Sequence, residues 1–110
     1  MAQSQPCVLV VEDEGAQREV LKYNLEAEGF AVVMAENGDE AMLLVAEEQP
    51  DLIVIGNPTN PTGVLHPAAE IRRLVRPGRI VVVDEAFMDF VPGETQSLLG
   101  GDLTGILVTR

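Results

Sequence analysis

The sequence has 110 residues, of which 18 are acidic and seven are basic, so its formal charge is −11 at pH 7. This length predicts one domain, residues 1–110, and a hydrophobic content of 46% is typical of a protein that buries a core. Because a polyanion repels phosphate backbones and anionic lipids, we expect neither nucleic acid nor a membrane as partner.

The single cysteine and the first residues bear on the cellular compartment. Cys7 has no second cysteine to pair with, which excludes an internal disulfide and a multi-cysteine metal site. Residues 1–6 lack the basic and apolar stretches of a signal peptide, and no apolar run approaches the ~20 residues that span a bilayer. We therefore predict a cytoplasmic protein in which Cys7 is a small buried residue at the start of a strand.

Strands and helices are predicted to alternate along the chain. In chain order the expected elements are a strand at 8–11, a helix at about 15–28, a weaker strand at 30–34, a helix at about 38–48, a strand at 52–55, a helix at about 67–75, a strand at 80–83, a long connection with at most a short helix near 94–99, and a strand at 106–108. The strand runs are continuous rather than alternating, which is typical of strands covered on both faces.

Apolar spacing and helix-stop signals define the three helices. The first has apolar residues near helical spacing and ends at Gly29; the second places apolar residues on one side and ends before Pro50; the third opens at Pro67. The apolar positions are Ala16, Val20, Tyr23 and Ala27 in the first, Ala41, Leu44 and Val45 in the second, and Ile71, Leu74 and Val75 in the third.

This alternation predicts an α/β fold of the flavodoxin-like (Rossmann-like) type, a doubly wound parallel five-stranded sheet in the order 2-1-3-4-5. The chain ends directly after the fifth strand, so we expect the fifth helix to be lacking and one apolar sheet face to be uncovered. A second copy or a swapped element would cover that face, which predicts self-association, for example as a dimer.

The first half carries a run of family motifs. The stretches 8–14, 18–19, 25–30, 35–41 and 50–55 together make residues 7–55 resemble a response-regulator receiver domain of the phosphate-regulon type. The resemblance implies that the acidic pair Glu12 and Asp13 would hold Mg²⁺. It also implies an aspartate phosphoryl acceptor after the third strand, but Gly56 stands at that position. We therefore expect no phosphorylation there.

The second half carries different motifs. The turn at 57–63 (Asn-Pro-Thr-Asn-Pro-Thr-Gly), the Asp-Glu-Ala-Phe run at 84–87 and the end at 107–110 resemble a fold type I pyridoxal-phosphate aminotransferase, nearest to the histidinol-phosphate aminotransferase and threonine-phosphate decarboxylase branch. The resemblance implies that Asn60 would bind the cofactor's phenolic oxygen and Asp84 its pyridine nitrogen. Phe87 stands where many relatives have tyrosine.

The pyridoxal-phosphate chemistry needs a lysine to form a Schiff base. Lys22 is the single lysine and belongs to the first predicted helix, far from the strand ends, and the glycine- and serine-rich phosphate turn of the family is missing. We therefore expect no cofactor, with vestigial positions at Asn60 and Asp84.

The charge distribution changes where the resemblance changes. Residues 1–55 carry 12 acidic and two basic side chains, whereas residues 56–110 carry six and five. The two resemblances and this charge change predict an engineered chimera of a receiver-like half, 1–55, and an aminotransferase-like half, 56–110. Because each half lacks its reactive residue, we expect a structural hybrid without evolved catalytic activity, and so not an enzyme.

Other interpretations stay open. The chain could be a receiver-like signalling module that keeps a divalent-cation site at Glu12 and Asp13, or a residual pyridoxal-phosphate transferase fragment. A natural degenerate receiver is disfavoured, because drift would not create two aminotransferase motifs at matching strand ends.

Each marked residue also has a purely structural interpretation. Glu12 and Asp13 could be solvated acids near a helix N-terminus, residues 57–63 a rigid turn, and His66 a residue at or near a helix cap. At one sheet edge, however, the like charges of Glu12, Asp13 and Asp84 are expected to raise some of their pKa values or to recruit a cation.

Overall fold

The protein is built on one parallel β-sheet with helices on both faces. The computed structural model describes residues 5–56, 66–85 and 105–109. In chain order the elements are β1 (Cys7–Val11), α1 (Gly15–Ala27), β2 (Ala31–Ala35), α2 (Gly38–Glu48), β3 (Leu52–Gly56), α3 (Ala68–Arg72), β4 (Ile80–Asp84) and β5 (Ile106–Thr109). The sheet order β2-β1-β3-β4-β5, with every pair parallel, confirms the predicted flavodoxin-like fold. The predicted short helix near 94–99 lies outside the described residues.

Side chains and one glycine fix the ends of α1. The Glu14 carboxylate accepts hydrogen bonds from the backbone N–H groups of Ala16 (3.2 Å) and Gln17 (2.8 Å), which otherwise lack partners at a helix start. At the other end Gly29 has φ +97°, a left-handed conformation that suits glycine. The Phe30 N–H then donates to the Leu25 carbonyl at 3.1 Å and closes the helix.

The ends of α2 follow from its sequence in the same way. The Asn37 side chain accepts from the Glu40 N–H at 2.9 Å, and two acids, Asp39 and Glu40, lie in the first turn where the helix dipole favours negative charge. The last residue before Pro50 is Gln49, which adopts φ 46° and ends the helix.

The third helix is shorter than predicted, five residues instead of about nine. Pro67 precedes it as the N-cap and makes no side-chain cap hydrogen bond, and His66, one residue earlier, lies near the cap as predicted. Beyond Arg72 the N–H groups of Leu74 and Val75 donate three residues back, to Ile71 and Arg72, rather than four. These tighter turns end the helix before Pro77 and still bury Leu74.

The main core lies between the sheet and the pair α2 and α3. Its buried members are Leu9, Val11, Ala35, Ala41, Ile53, Ile55, Ala68, Ile71, Leu74, Val81 and Val83. Leu44, Val45 and Val75 pack against this cluster from the rim. The faces predicted for the second and third helices are therefore confirmed.

Within the described residues, the opposite sheet face is covered by a helix only towards the β2 edge. Right-handed crossovers place α1 on this face, where it packs against β2 and covers the buried Val8 and Val10 of β1. Towards the other edge the exposed fraction rises to 54% at Ile80 and 56% at Leu107. This open apolar face agrees with the expected uncovered surface, and self-association through it stays a prediction.

The apolar residues whose spacing predicts α1 lie on the exposed side of the helix, so the predicted inner face of α1 is wrong. Val20 and Tyr23, with 76% of Tyr23 exposed, point away from the sheet together with Ala16 and Ala27. The half-buried Leu21 and Leu25 form the inner side instead. Within the described residues no helix has the length and apolar character needed to cross a bilayer.

Candidate functional site

The carboxyl ends of the strands bring the predicted site residues to one edge of the sheet. Glu12 and Asp13 follow β1, and Gly56 ends β3. Asp84 ends β4 beside Gly56 on one side and Thr109 on the other. Asn60 lies outside the described residues.

The backbone around Glu12 is held firmly. Its N–H donates to the Ala35 carbonyl at 2.9 Å, and its own carbonyl accepts from Arg18 Nη1 at 2.9 Å. Arg18 Nη2 also contacts Glu36 Oε1 at 3.3 Å. The Glu12 carboxylate accepts a hydrogen bond from the Glu14 N–H, two residues further along the chain, at 3.3 Å. The acidic pair is thus presented by a fixed turn at the edge.

The electrostatics of this turn favour a proton or a cation. Burial is the main cause that raises the pKa of Glu12, and the neighbouring charges of Asp13 and Glu14 raise it further. The Glu14 N–H and Arg18 act in the opposite direction. The pKa of Glu12 is thus raised, but mainly by desolvation rather than by charge repulsion, and Asp84 is not among the causes.

The three acids do not converge on one point. Since β3 separates β1 from β4, Asp84 lies two strand spacings, about 10 Å, from the acidic pair. Gly56 occupies the intervening strand end and has no side chain to offer. In the described ranges no three His, Cys, Asp or Glu side chains group as metal ligands.

The residues that the structure describes do not fit pyridoxal phosphate. Asp84 is exposed at the end of β4, whereas Lys22 is half-buried on α1, which packs over β1 and β2. A lysine amine on that helix cannot reach a ring held beside Asp84, two strands further along the sheet. No step of aldimine chemistry can be assigned to this chain.

Cys7 differs from its sequence-based interpretation, and His66 makes a contact that the sequence does not predict. Cys7 is half-buried rather than buried, and burial together with Glu48 and Asp51 raises the pKa of its thiol, so it stays protonated. His66 packs against the start of α2, where its ring carbon Cε1 lies 3.6 Å from the position that a Cβ on Gly38 would take. A lone histidine before a proline carries no sequence signal for this long-range contact.

Arginines of the second half close the end of α2. Arg79 donates through Nε to the Pro50 carbonyl and through Nη1 to the Leu74 carbonyl, both at 2.9 Å. Arg76 Nη2 lies 3.4 Å from the carbonyls of Gln49 and Pro50. The segments on either side of Gly56 are thus joined by charged hydrogen bonds as well as by the β3–β4 pair.

Comparison with known proteins finds relatives of two kinds. A histidinol-phosphate aminotransferase of Mycobacterium tuberculosis is 59% identical over 63 residues, which are 57% of this chain and 17% of that enzyme. The phosphate regulon transcriptional regulatory protein PhoB of Rhizobium meliloti is 50% identical over 50 residues, 46% of this chain and 22% of that regulator. The chain therefore spans less than a quarter of either relative.

The two similarities overlap. The 63 residues aligned to the aminotransferase exceed the stretch from Gly56 to the end, so that similarity begins before Gly56. Among solved structures, the response regulator TrrA of Thermotoga maritima matches with a TM-score of 0.66 and 26% identity over 96% of this chain and 87% of TrrA. A receiver domain of Methylobacillus flagellatus matches with a TM-score of 0.67 and 22% identity over 97% of this chain and 87% of that domain, which shows the fold alone.

The family assignment combines these matches. The family model described as aminotransferase class I and II matches residues 14–109, most of the chain. The similarity to PhoB covers almost half of the chain, and the fold is that of a receiver domain, so the receiver segment overlaps the family match. The chain belongs to the aminotransferase class I and II family, and it is a chimera that combines a response-regulator receiver segment with an aminotransferase segment.

Proposed function

We propose that this chimera is engineered, with a structural role and no catalytic activity of its own, and that it resides in the cytoplasm. One observation carries the proposal: the strand-end edge, where both parent families place their chemistry, holds neither a carboxylate on β3 nor a lysine amine. Gly56 ends β3, and the single lysine, Lys22, sits on α1.

The contacts between the halves support a structural role. A buried guanidinium, Arg79, joins both segments at Pro50, and the β3–β4 register runs without interruption from Leu52–Ile80 to Gly56–Asp84. A hybrid sheet of this kind needs no reactive group to be stable, since main-chain pairing and apolar burial stabilise it.

Cofactor labelling tests the absence of transferase chemistry. The chain is incubated with pyridoxal phosphate, reduced with borohydride and analysed by intact mass and peptide mapping. We expect no imine absorbance above that of the Lys22→Gln variant and no stoichiometric label, because among the described residues no amine lies near Asp84. A full equivalent of label on Lys22 together with transamination of histidinol phosphate would overturn the proposal.

A second candidate function, divalent-cation binding, is favoured by the position of Glu12 and Asp13, two adjacent carboxylates directly after the carboxyl end of β1. A cation would relieve the charge repulsion that opposes ionisation of Glu12. Two carboxylates without a third make a weak site, so we expect binding only in the millimolar range of Mg²⁺.

A titration with Mg²⁺, followed by backbone amide NMR, tests this candidate. Saturable shifts are expected at residues 12–14 and are expected to vanish in Asp13→Asn. Gly56→Asp places a carboxylate on the strand between β1 and β4 and is expected to tighten binding about tenfold. If neither the parent chain nor Gly56→Asp shows amide shifts that change with Mg²⁺ concentration up to the millimolar range, the candidate is excluded.

A further inference from the structure

Among the described residues, the α1 side of the sheet is covered over β1 and open over β4 and β5. Val10, Val54, Val82 and Leu107 form one row across four strands on this side, because they pair in register and strand residues alternate between the two faces. The exposed fraction rises along this row from 1% at Val10 to 56% at Leu107. The apolar residues of the open part, called the open patch below, are Leu52, Val54, Ile80, Val82 and Leu107.

Helix α1 carries apolar residues on two opposite sides. Leu21 and Leu25 are half-buried on the inner side, which packs on the sheet. The opposite side carries four exposed apolar residues at helical spacing, called the outer stripe below: Ala16, Val20, Tyr23 and Ala27. A helix with one partner needs one apolar stripe, whereas apolar residues on two sides are typical of a helix that is covered on both. The outer stripe therefore predicts a second layer on α1.

A second copy of the chain covers both surfaces in one arrangement. On this side of the sheet α1 packs at the β2 edge, and the open patch lies beside it towards β5. A twofold axis parallel to α1 exchanges these two regions, so that each α1 lies over the open patch of the other copy. The two helices then fill one layer between two sheets, and the symmetric contact closes without leaving a free surface for a third copy.

We propose that the chain forms a symmetric dimer in which the outer stripe of α1 packs on the open patch of the partner chain. With about 400 Å² on each stripe and each patch, two copies would bury about 1,600 Å², the size typical of a specific interface. This dimer does not depend on the absence of catalysis, because its surfaces lie on the sheet face rather than at the strand-end edge.

Charge opposes this association. Each copy carries a net charge of −11, and the exposed Glu19 and Glu26 flank the outer stripe. The attraction is therefore apolar, and salt is expected to strengthen the dimer by screening the repulsion between the copies. An association driven by charge pairing would respond to salt in the opposite direction.

Sedimentation equilibrium over a concentration series tests the dimer. The parent chain is expected to dimerise with a dissociation constant on the order of 10 µM, and more tightly at high salt. Val20→Glu on the outer stripe and Leu107→Lys on the open patch are each expected to weaken association at least tenfold, since each places an unpaired charge in an apolar contact. Leu43→Glu and Leu43→Lys are the matched controls, at an exposed leucine of α2 on the other side of the sheet, and are expected to leave association unchanged.

Mixing the two variants tests which surfaces meet. In the mixed dimer one stripe–patch contact is unaltered and the other brings a glutamate to a lysine. An equimolar mixture of Val20→Glu and Leu107→Lys is therefore expected to associate at least fivefold more tightly than either variant alone, whereas a mixture of Leu43→Glu and Leu107→Lys is not. Amide NMR spectra check that the variants fold, and Tyr23→Glu or Ile80→Lys replaces one that does not.

Three results would overturn the proposal. The first is a parent chain that stays monomeric up to millimolar concentration, as it would if another segment of the same chain occupied the open patch. The second is a dimer that a folded variant of the outer stripe or of the open patch leaves intact. The third is a mixture of the two variants that associates no more tightly than its components, as expected if two open patches met each other.

Discussion

Replacing Arg79 by methionine is expected to lower the free energy of unfolding by about 3 kcal/mol. The Arg79 side chain is only 5% exposed and donates two hydrogen bonds of 2.9 Å, to the carbonyls of Pro50 and Leu74. Methionine matches arginine only as far as Nε and has no donor, so both carbonyls would lose a charged partner. Burial lowers the pKa of Arg79, yet a guanidinium remains charged at every pH at which the protein folds.

Equilibrium unfolding in urea measures this loss of stability. The same substitution at two other arginines provides the comparison. Arg76→Met removes only two long contacts of 3.4 Å and is expected to cost about 1 kcal/mol. Arg73→Met changes an exposed side chain and is expected to stay within about 0.5 kcal/mol of the parent. An Arg79→Met chain as stable as Arg73→Met would show that the charged link between the segments contributes nothing.

A lysine at the same position separates charge from geometry. Arg79→Lys keeps the positive charge, but one ammonium cannot serve two carbonyls on different segments as the planar guanidinium does. We expect Arg79→Lys to lower the free energy of unfolding by about half as much as Arg79→Met does. A full recovery of stability by lysine would assign the effect to charge alone.

The order of strands and helices was predictable because its signals are local. Continuous β-branched runs mark buried strands, and Asn37 and Gly29 mark a helix start and a helix end in any fold. The sheet order follows from the alternation of elements and the handedness of crossovers, which depend on no particular side chain.

What sequence reasoning missed depends on contacts between distant segments. Helix α1 carries two apolar stripes, and spacing alone does not tell which of them, that of Val20 and Tyr23 or that of Leu21 and Leu25, faces the sheet. The partners of Arg79 lie 29 residues away at Pro50 and five away at Leu74, so its burial has no local signal. The same holds for His66 beside Gly38.

At the candidate site, the sequence located the residues but not their separation. Glu12 and Asp13 follow β1 and Asp84 ends β4, so all three lie at the same edge of the sheet, as the topology requires. A carboxylate at the end of β3 would bridge the distance between the acidic pair and Asp84. Here β3 ends in Gly56, which has no side chain. A glycine at this position therefore decides both the missing acceptor and the missing third ligand.

Replacing Gly105 by alanine is expected to cost about 2–3 kcal/mol, because two independent penalties meet at this residue. Gly105 has φ +75°, which disfavours any L side chain. A Cβ there would also lie 2.8 Å from Val75 Cγ1, closer than packed carbon atoms approach. Since the Gly105 carbonyl accepts from the Val81 N–H at 2.9 Å, a shift of this residue would disturb the start of the β4–β5 pair.

Gly29→Ala is the matched control, because Gly29 also has a positive φ of +97° but nothing within 4 Å of an added Cβ. It is expected to cost about 1 kcal/mol, the backbone penalty alone. The remainder at Gly105 is assigned to Val75, so in a Val75→Ala background the cost of Gly105→Ala should fall to that of Gly29→Ala. Urea unfolding of the four chains in this cycle gives the coupling directly. Equal costs at both glycines, or no coupling to Val75, would mean that β5 moves away from the turn without loss of stability, and that the β4–β5 edge of the hybrid sheet is loosely packed.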